Sequence, residues 1–248
     1  MADGRRRGFE VALVIAAIAV SIAPASGAPD QTSPAPLPSA SGLGVTRPID
    51  RYRAALAALP PLKDMVFQYS ESRTGPTRTL VELHRVYRRV DGAERNETIA
   101  VNGATVVPAI VHYSTRPVWP YDVRAFAVSS DEYDLMPIGP RLVNGKRAYG
   151  ISAVRTTTGD FSVTAVFLDE TAWLPLRETY SVTGSGCTGT GSIDFGRAGG
   201  TWLPTSTQVS CTVGDGGATF KESIAFSGFT FPPSLPPDIF ASQPPEGP

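Results

Sequence analysis

The side chains that could do chemistry are few and widely spaced. The chain has two histidines, His84 and His112, and they fall in different predicted strands. Neither is followed two or four positions later by a metal-ligating residue, the spacing that would put two ligands on one face of a strand or helix. A single histidine of this kind is typical of an ordinary surface or core position. The sequence therefore predicts no metal site and no cofactor.

Paired carboxylates could also support catalysis. The run Asp131-Glu132-Tyr133-Asp134 and the pair Glu94 and Glu97 have the residue types of an acid/base pair. Both lie in polar, loop-like segments, which favours solvated charge. The sequence also has no Gly-x-Ser-x-Gly, no phosphate-binding glycine loop and no Cys-x-x-Cys. We therefore expect a protein that is not an enzyme.

The two cysteines give the most specific structural prediction. Cys187 and Cys211 flank a predicted hairpin, and centring its turn on Gly199 places them opposite each other. The same register places Ile193 opposite Thr205. Opposed residues of an antiparallel pair bring their Cβ atoms to about 4.5–5.5 Å, close to what a disulfide requires. An even number of cysteines in an exported chain favours a structural disulfide over two buried free thiols.

The N-terminus predicts export. Arg5-Arg6-Arg7 precedes an apolar run over 11–22, and Ala23-Pro24-Ala25 supplies small residues for cleavage. A run of about 12 apolar residues is too short for a bilayer core of about 30 Å, so we predict a signal peptide over 1–25. Arg6-Arg7-Gly8-Phe9 matches a twin-arginine signal in part, which leaves both export routes open. We expect a periplasmic or secreted protein without a membrane span after cleavage.

Composition divides the rest of the chain into three parts. Residues 26–45 are rich in Pro, Ala, Ser and Gly and predict a disordered linker. Residues 46–241 predict one domain, long enough to bury a sizeable core, and 242–248 predict a disordered tail. The formal net charge of −1 and pI of about 6.1 lack the basic excess of nucleic-acid-binding proteins. No nucleic-acid partner is expected.

One amphipathic helix precedes a long series of strands. Pro48 stands where the first turn of a helix tolerates proline, with Thr46 as its cap, and Pro60-Pro61 ends the run. The apolar positions of this helix are Ile49, Tyr52, Leu56 and Leu59.

Alternating apolar and polar residues then indicate an antiparallel sheet. In one strand, Phe161, Val163, Ala165 and Phe167 predict a single apolar face. Between the strands at 105–113 and 147–156, a proline-rich aromatic loop with Trp119 and Tyr121 precedes a short helix expected within 122–136. The predicted strands are 65–72, 79–89, 95–102, 105–113, 147–156, 161–168 and 177–182, followed by a meander to the C-terminus.

Four passages in this order resemble the superfamily of the lipoprotein carrier LolA, its receptor LolB and the LolA-like domain of RseB (also called MucB). The resemblance covers nearly the whole predicted domain. Its motifs are Val66-Phe67-Gln68-Tyr69; Leu83-His84-Arg85-Val86-Tyr87-Arg88-Arg89 with Asp91-Gly92-Ala93-Glu94-Arg95-Asn96-Glu97; Gly139 with Val143-Asn144-Gly145-Lys146-Arg147-Ala148-Tyr149; and Phe167-Leu168-Asp169 to Leu174-Pro175-Leu176-Arg177, Trp202-Leu203-Pro204 and Leu235-Pro236-Pro237-Asp238-Ile239-Phe240.

The resemblance implies an α+β, mainly β fold, in which a strongly curved antiparallel sheet forms an unclosed β-barrel covered by one or more helices. It also implies a hydrophobic-ligand-binding protein that holds a lipid or the acyl chain of a lipoprotein and carries it across the envelope. Arg85 is the candidate for the inner-strand arginine that holds the covering helices closed in the carrier. The alternative is an envelope-stress regulator of RseB type that acts through a protein partner.

The predicted ligand site follows from the alternation of apolar residues along the strands. Those residues could line a cavity, and they could equally fill an ordinary core. The predicted ligand-binding residues are Phe67, Leu83, Arg85, Phe161, Val163, Phe167, Tyr180 and Phe226.

Overall fold

The computed structural model describes residues 43–115, 121–184, 187–213 and 217–241. The predicted signal peptide, the predicted tail and Trp119 lie outside these residues. In the described part of the chain, no helix has the length and apolar content that a membrane span needs.

The described residues form eleven strands in one antiparallel sheet, together with one α-helix and two short 3-10 helices. The helix α1 spans Leu43–Ala57, and the 3-10 helices span Val123–Phe126 and Pro237–Phe240. The strands are β1 (Met65–Thr74), β2 (Thr79–Arg88), β3 (Ala93–Val101), β4 (Ala104–Thr115), β5 (Tyr133–Val143), β6 (Lys146–Arg155), β7 (Phe161–Asp169), β8 (Pro175–Val182), β9 (Cys187–Ala198), β10 (Thr201–Val213) and β11 (Thr219–Thr230).

The strand order is β4-β3-β2-β1-β11-β10-β9-β8-β7-β6-β5, and each neighbouring pair is antiparallel. The edge strands β4 and β5 are not hydrogen-bonded to each other, so the sheet is an unclosed barrel wall, as the sequence predicts. Two hairpins turn on Asn102-Gly103 and Asn144-Gly145, with positive φ at all four residues. This is the conformation for which Asn-Gly is favoured in tight hairpins.

The strand order makes one connection cross the sheet. The chain leaves β4 at one edge and returns as β5 at the other. We call the part Tyr121–Val128 the crossing segment, and the face against which it packs the inner face. Tyr121 contacts Phe67 of β1, and Phe126 lies near Phe195 of β9, so the crossing segment spans several strands. Tyr121, Val123, Phe126 and Val128 are all buried.

Helix α1 begins earlier than predicted. It starts at Leu43, within the predicted linker, and Pro48 lies in its interior instead of its first turn. Pro48 has no N–H, so one carbonyl of the helix loses its hydrogen-bond partner. The fixed φ of proline suits a helix, and the helix continues past Pro48. The predicted apolar stripe is confirmed for Ile49, Tyr52 and Leu56, which are all buried.

Two of the register shifts in the sheet overturn predictions made from the sequence. In β7, the pairing with β8 shifts between Val163 and Ala165. The prediction of one apolar face over β7 is therefore wrong, because the extra residue at the bulge moves Phe167 to the face opposite Phe161. The prediction of a short helix within 122–136 is confirmed only for the 3-10 helix Val123–Phe126. It is wrong for the rest, because β5 already begins at Tyr133.

The second bulge lies in the β9–β10 hairpin. Pairing shifts between Pro204 and Ser206, where proline cannot donate to the ladder. The turn is centred between Gly199 and Gly200 instead of on Gly199, which shifts the predicted pairing by one residue, and the bulge shifts it by one more. Ile193 therefore faces Thr207 instead of Thr205. The disulfide itself is confirmed. Cys187 and Cys211 are bonded with their Cα atoms 5.4 Å apart, although they occupy diagonal positions in the ladder.

Candidate functional site

The inner face carries the largest apolar side chains of the sheet. Cross-strand partners share a face, so the registers assign every strand residue to the inner or the outer face. Phe67 pairs with Val86, and Tyr69 pairs with both His84 and Phe226. The candidate site is this inner face with the two elements that cover it, α1 and the crossing segment.

An aromatic cluster joins the crossing segment to β1 and β11. Its members are Phe67, Tyr121, Phe226 and Phe229. Tyr121 meets Phe67 edge-on with ring centroids 4.9 Å apart, and Phe229 stacks on Phe67 at 5.1 Å. Phe67 is completely buried, whereas Phe226 and Phe229 are only half-buried. The cluster therefore extends from the core towards solvent.

A second aromatic contact lies under the other end of the crossing segment. Phe126 packs on Phe161 at a centroid distance of 6.4 Å, and Phe161 packs on Tyr180 at 5.0 Å. Tyr180 of β8 lies across Gly191 of β9, and its hydroxyl donates to the carbonyl of Gln208 at 3.3 Å. A Cβ atom at Gly191 would overlap the Tyr180 ring. The absence of a side chain at Gly191 therefore allows Tyr180 to lie flat over the sheet.

The structure divides the predicted ligand-binding residues between the two faces. Three of them lie on the outer face: Leu83, Arg85 and Phe167. Their cross-strand partners there are Ser70, Gln68 and Arg177, respectively. The inner face brings together Phe67, Phe161, Val163, Tyr180 and Phe226.

Helix α1 covers the inner face through few contacts. Its three buried side chains are Ile49, Tyr52 and Leu56. At its rim, the Arg51 guanidinium lies 4.8 Å from the centre of the Trp173 ring, and Arg53 donates to the Ser130 hydroxyl at 2.9 Å. These rim contacts join α1 to the β7–β8 turn and to the residues that follow the crossing segment.

A carboxyl group lies buried below α1. Glu178 of β8 is 1 % exposed, and neither of its side-chain oxygens has a hydrogen-bond partner among the described residues. Burial raises the pKa of Glu178 well above its ordinary value, because a charged carboxylate is poorly solvated there. Burial, followed by the charge of Glu178, also raises the pKa of Tyr52. Glu178 and Tyr52 therefore bring a polar patch into the contact between helix and sheet.

Glu178 should make stability depend on pH. Its folded pKa exceeds its unfolded pKa, so the folded state binds the extra proton and loses stability as pH rises above about 4.5. We expect Glu178→Gln to stabilise the protein at pH 7 by about 1–3 kcal/mol, with little effect near pH 4. Urea unfolding at both pH values measures this, with the exposed Glu132→Gln as control. A destabilised Glu178→Gln variant at pH 7 would contradict it.

The inner face also holds a buried ion pair. Arg88 of β2 is completely buried, and its guanidinium donates to Glu94 of β3 at 2.5 Å. The same guanidinium lies 5.6 Å from the centre of the Tyr121 ring. Arg85, the arginine singled out in the sequence, is instead 43 % exposed on the outer face and 3.9 Å from Glu97. The buried inner-strand arginine is Arg88, three residues further along the same strand.

At the other end of β1, the inner face becomes polar. The polar cluster consists of Glu71, Arg73, Glu82, His84 and Glu222. Arg73 bonds one oxygen of Glu71 and lies 3.7 Å from both Glu82 and Glu222. His84 Nε2 lies 3.9 Å from Glu71 Oε2 and 4.0 Å from Glu82 Oε2. The ligand-type atoms of Glu71, Glu82 and His84 all lie within 4.8 Å of one another.

Burial governs the protonation of this cluster. It raises the pKa of the Glu222 carboxyl to about 7, with the negative charge of Glu71 as the second cause. Burial lowers the pKa of His84 despite the nearby carboxylates. The ring stacks on Tyr69 with centroids 4.4 Å apart, which fixes its orientation.

The sequence singled out His84 but not the other members of this polar cluster, Glu71, Arg73, Glu82 and Glu222. Glu82 precedes His84 by two residues and therefore shares its strand face, whereas the prediction considered only ligands that follow a histidine. The sequence also allows Arg88 to be placed on the same strand face as His84 and Val86, because it lies four and two residues after them. Glu71 lies on another strand, and only the pairing of β1 with β2 places it opposite Glu82.

No protein-family model matches the chain, and a search of curated proteins finds no relative. Several solved structures are similar in fold. A putative outer membrane lipoprotein-sorting protein domain from Vibrio parahaemolyticus has 11% identity and a TM-score of 0.46, covering 79% of this chain and 97% of its own. A LolA superfamily protein from Nitrosomonas europaea has 9% identity and a TM-score of 0.41, covering 80% and 97%.

A complex of MucA and MucB from Pseudomonas aeruginosa has 14% identity and a TM-score of 0.27, covering 74% of this chain and 93% of the matched chain. The function of this chain has to be inferred from its own residues.

Proposed function

We propose that this protein is an exported, non-enzymatic binder of a hydrophobic ligand, a lipid or the acyl chain of a lipoprotein. The ligand would lie on the inner face, in the space that α1 and the crossing segment cover. The proposed role of the protein is to carry that ligand across the envelope, as the sequence resemblance implies. The disulfide fits an oxidising compartment, and the predicted signal peptide leads to the same location.

One observation supports this proposal above the others. The aromatic inner face belongs to a sheet whose backbone hydrogen bonds are made by the strands themselves. Its cover attaches through side chains, mainly Ile49, Tyr52 and Leu56 of α1 and Tyr121 and Phe126 of the crossing segment. The cover can therefore move away without breaking any strand pairing.

The free energy gained by burying the apolar side chains of α1 is comparable to that gained by burying an acyl chain. Burying an apolar side chain of this size stabilises a protein by about 1.5–3 kcal/mol, so the three buried side chains of α1 supply about 5–9 kcal/mol. A buried methylene supplies about 0.8 kcal/mol. An acyl chain of about ten methylenes would therefore match the apolar contact of α1. Long acyl chains fit this requirement, and short polar metabolites do not.

Arg88 would act in this mechanism as the residue that holds the cover closed. It lies on the inner face, where Arg85 does not, and its guanidinium contacts the ring of Tyr121 in the crossing segment. A cation lying over an aromatic ring contributes about 0.5–2 kcal/mol. Displacing Tyr121 would remove this contact and leave the Arg88–Glu94 pair open to the ligand.

Native mass spectrometry tests the proposal directly. The protein would be purified from its exported compartment, measured intact, then extracted with organic solvent for lipid analysis. We expect a co-purifying lipid or acylated peptide at one molecule per chain. An apo mass that added lipids leave unchanged would exclude lipid binding.

Two phenylalanines of β7 provide a matched pair of variants. Phe161 and Phe167 are both half-buried, but Phe161 lies on the inner face and Phe167 on the outer face. We expect Phe161→Ala to weaken binding of a fluorescent long-chain fatty acid at least about tenfold, the equivalent of about 1.4 kcal/mol of lost apolar contact. Phe167→Ala should leave the dissociation constant unchanged. Equal effects of the two substitutions would place the ligand elsewhere.

A regulatory module that binds an envelope protein is the second candidate. The edge strand β4 favours it, because Val107 is 86% and Ile110 60% exposed, and unpaired strand edges can accept a partner strand. Tyr121, whose exposure in an aromatic loop would have favoured a partner, is instead buried. An apo mass in the lipid experiment would make this candidate the leading one.

A further inference from the structure

His84 is held in one tautomer by its neighbours. The amide nitrogen of Asn96 donates to the Tyr69 hydroxyl at 2.8 Å, which turns its carbonyl oxygen towards His84 Nδ1 at 3.1 Å. An amide oxygen only accepts hydrogen bonds, so Nδ1 carries the hydrogen, and the Thr98 hydroxyl, 3.3 Å from Nδ1, then also accepts from it. A histidine binds a metal ion as the neutral ring, and with the hydrogen on Nδ1 the ligating lone pair is on Nε2.

Nε2 of His84 lies near two carboxylates. His84 is 7% exposed, and its Nε2 has no hydrogen-bond partner among the described residues. Glu71 Oε2 lies 3.9 Å from Nε2 and Glu82 Oε2 lies 4.0 Å from it, too far for hydrogen bonds. Three electron-rich atoms thus face one another in a buried place, an arrangement that a cation between them would stabilise.

We propose that Glu71, Glu82 and His84 form a binding site for a divalent transition-metal ion such as Zn²⁺. An imidazole nitrogen and carboxylate oxygens are ligands that Zn²⁺ accepts, at about 2.0–2.2 Å. Tetrahedral ligands at that distance lie about 3.4 Å apart, so small side-chain rotations would complete the site. Water would occupy the fourth position.

The surrounding residues have the features of a second coordination shell. Asn96 orients His84 through Nδ1, and Arg73 bonds Glu71 Oε1, which leaves Oε2 for the ion. Metal-ligating histidines and carboxylates are commonly held by such hydrogen bonds. Charge also balances, because the two positive charges of the ion and the one of Arg73 equal the three negative charges of Glu71, Glu82 and Glu222. The site would link β1 to β2 and is independent of the proposed lipid site.

Titration of the untagged full chain with Zn²⁺, after removal of metal with a chelator, tests this site by calorimetry. We expect the binding sites of highest affinity to take up one Zn²⁺ ion per chain. His84→Gln and Glu82→Gln should each weaken that binding at least tenfold. His112→Gln is the matched control, because His112 is the other histidine of the chain and lies exposed on β4, and its affinity should not change.

A second measurement does not depend on the folding of the variants. In the wild-type protein, Zn²⁺ should shift the Nε2 nuclear magnetic resonance of His84 and leave that of His112 in place. Absence of Zn²⁺ binding, unchanged affinity in a folded His84→Gln variant, or a shift confined to His112 would each overturn the proposal.

Discussion

Replacing Arg88 by alanine should lower the free energy of unfolding by about 3–5 kcal/mol. Arg88 is completely buried, and its removal leaves the Glu94 carboxylate, 5% exposed, without its charged partner. Uncompensated buried charge is costly because the protein interior solvates it poorly. Thermal or urea unfolding measures the loss, which corresponds to a melting temperature lower by about 10 °C in a domain of this size.

Arg85→Ala is the matched control for this prediction. Arg85 lies on the same strand but is 43% exposed, and its nearest carboxylate, Glu97, is 3.9 Å away. Exposed pairs contribute about 0–1 kcal/mol, so this variant should remain close to wild type. A double variant, Arg88→Met with Glu94→Leu, should recover part of the stability because no charge stays buried. Equal, small effects of Arg88→Ala and Arg85→Ala would contradict the assignment of Arg88 as the structural arginine.

Removing the disulfide with Cys187→Ala and Cys211→Ala should cost about 3–4 kcal/mol. The bridge closes a loop between residues 24 positions apart, and the chain-entropy relation for a loop of this length gives about 3.5 kcal/mol. The bridge also ties β9 to β10 beyond the bulge at Pro204 and Ser206, where the ladder is interrupted. Urea unfolding of the oxidised wild type and of the double variant measures the difference.

Reduction supplies the control for the disulfide prediction. Dithiothreitol should lower the stability of the wild-type protein to about that of the double variant and leave the variant unchanged. The prediction fails if the reduced and oxidised wild-type proteins unfold at the same urea concentration. Such a result would mean that the strand pairing of β9 and β10 alone confers the stability.

Local patterns allowed much of the fold to be predicted. Period-two alternation identified the strands except β5, and Asn102-Gly103 and Asn144-Gly145 marked two hairpin turns. Ile49, Tyr52 and Leu56 marked the helix. These signals depend on neighbours a few residues apart, and for that reason they are visible in a sequence. The disulfide was predicted correctly from a register that was itself wrong by two residues, because diagonal positions in a hairpin are also close enough to be bridged.

The sequence by itself determined most of the strands and their turns, the apolar stripe of α1 and the disulfide, but not strand β5. Only the tertiary structure decided which side chains share the inner face. One bulge residue in β7 sends Phe167 outwards while Phe161 stays inside, since each inserted residue reverses the alternation that follows it. The pairing of β1 with β2 likewise places Glu71 opposite Glu82, beside His84. Contacts between residues of different strands depend on register, and register is set by packing of the whole sheet rather than by local spacing.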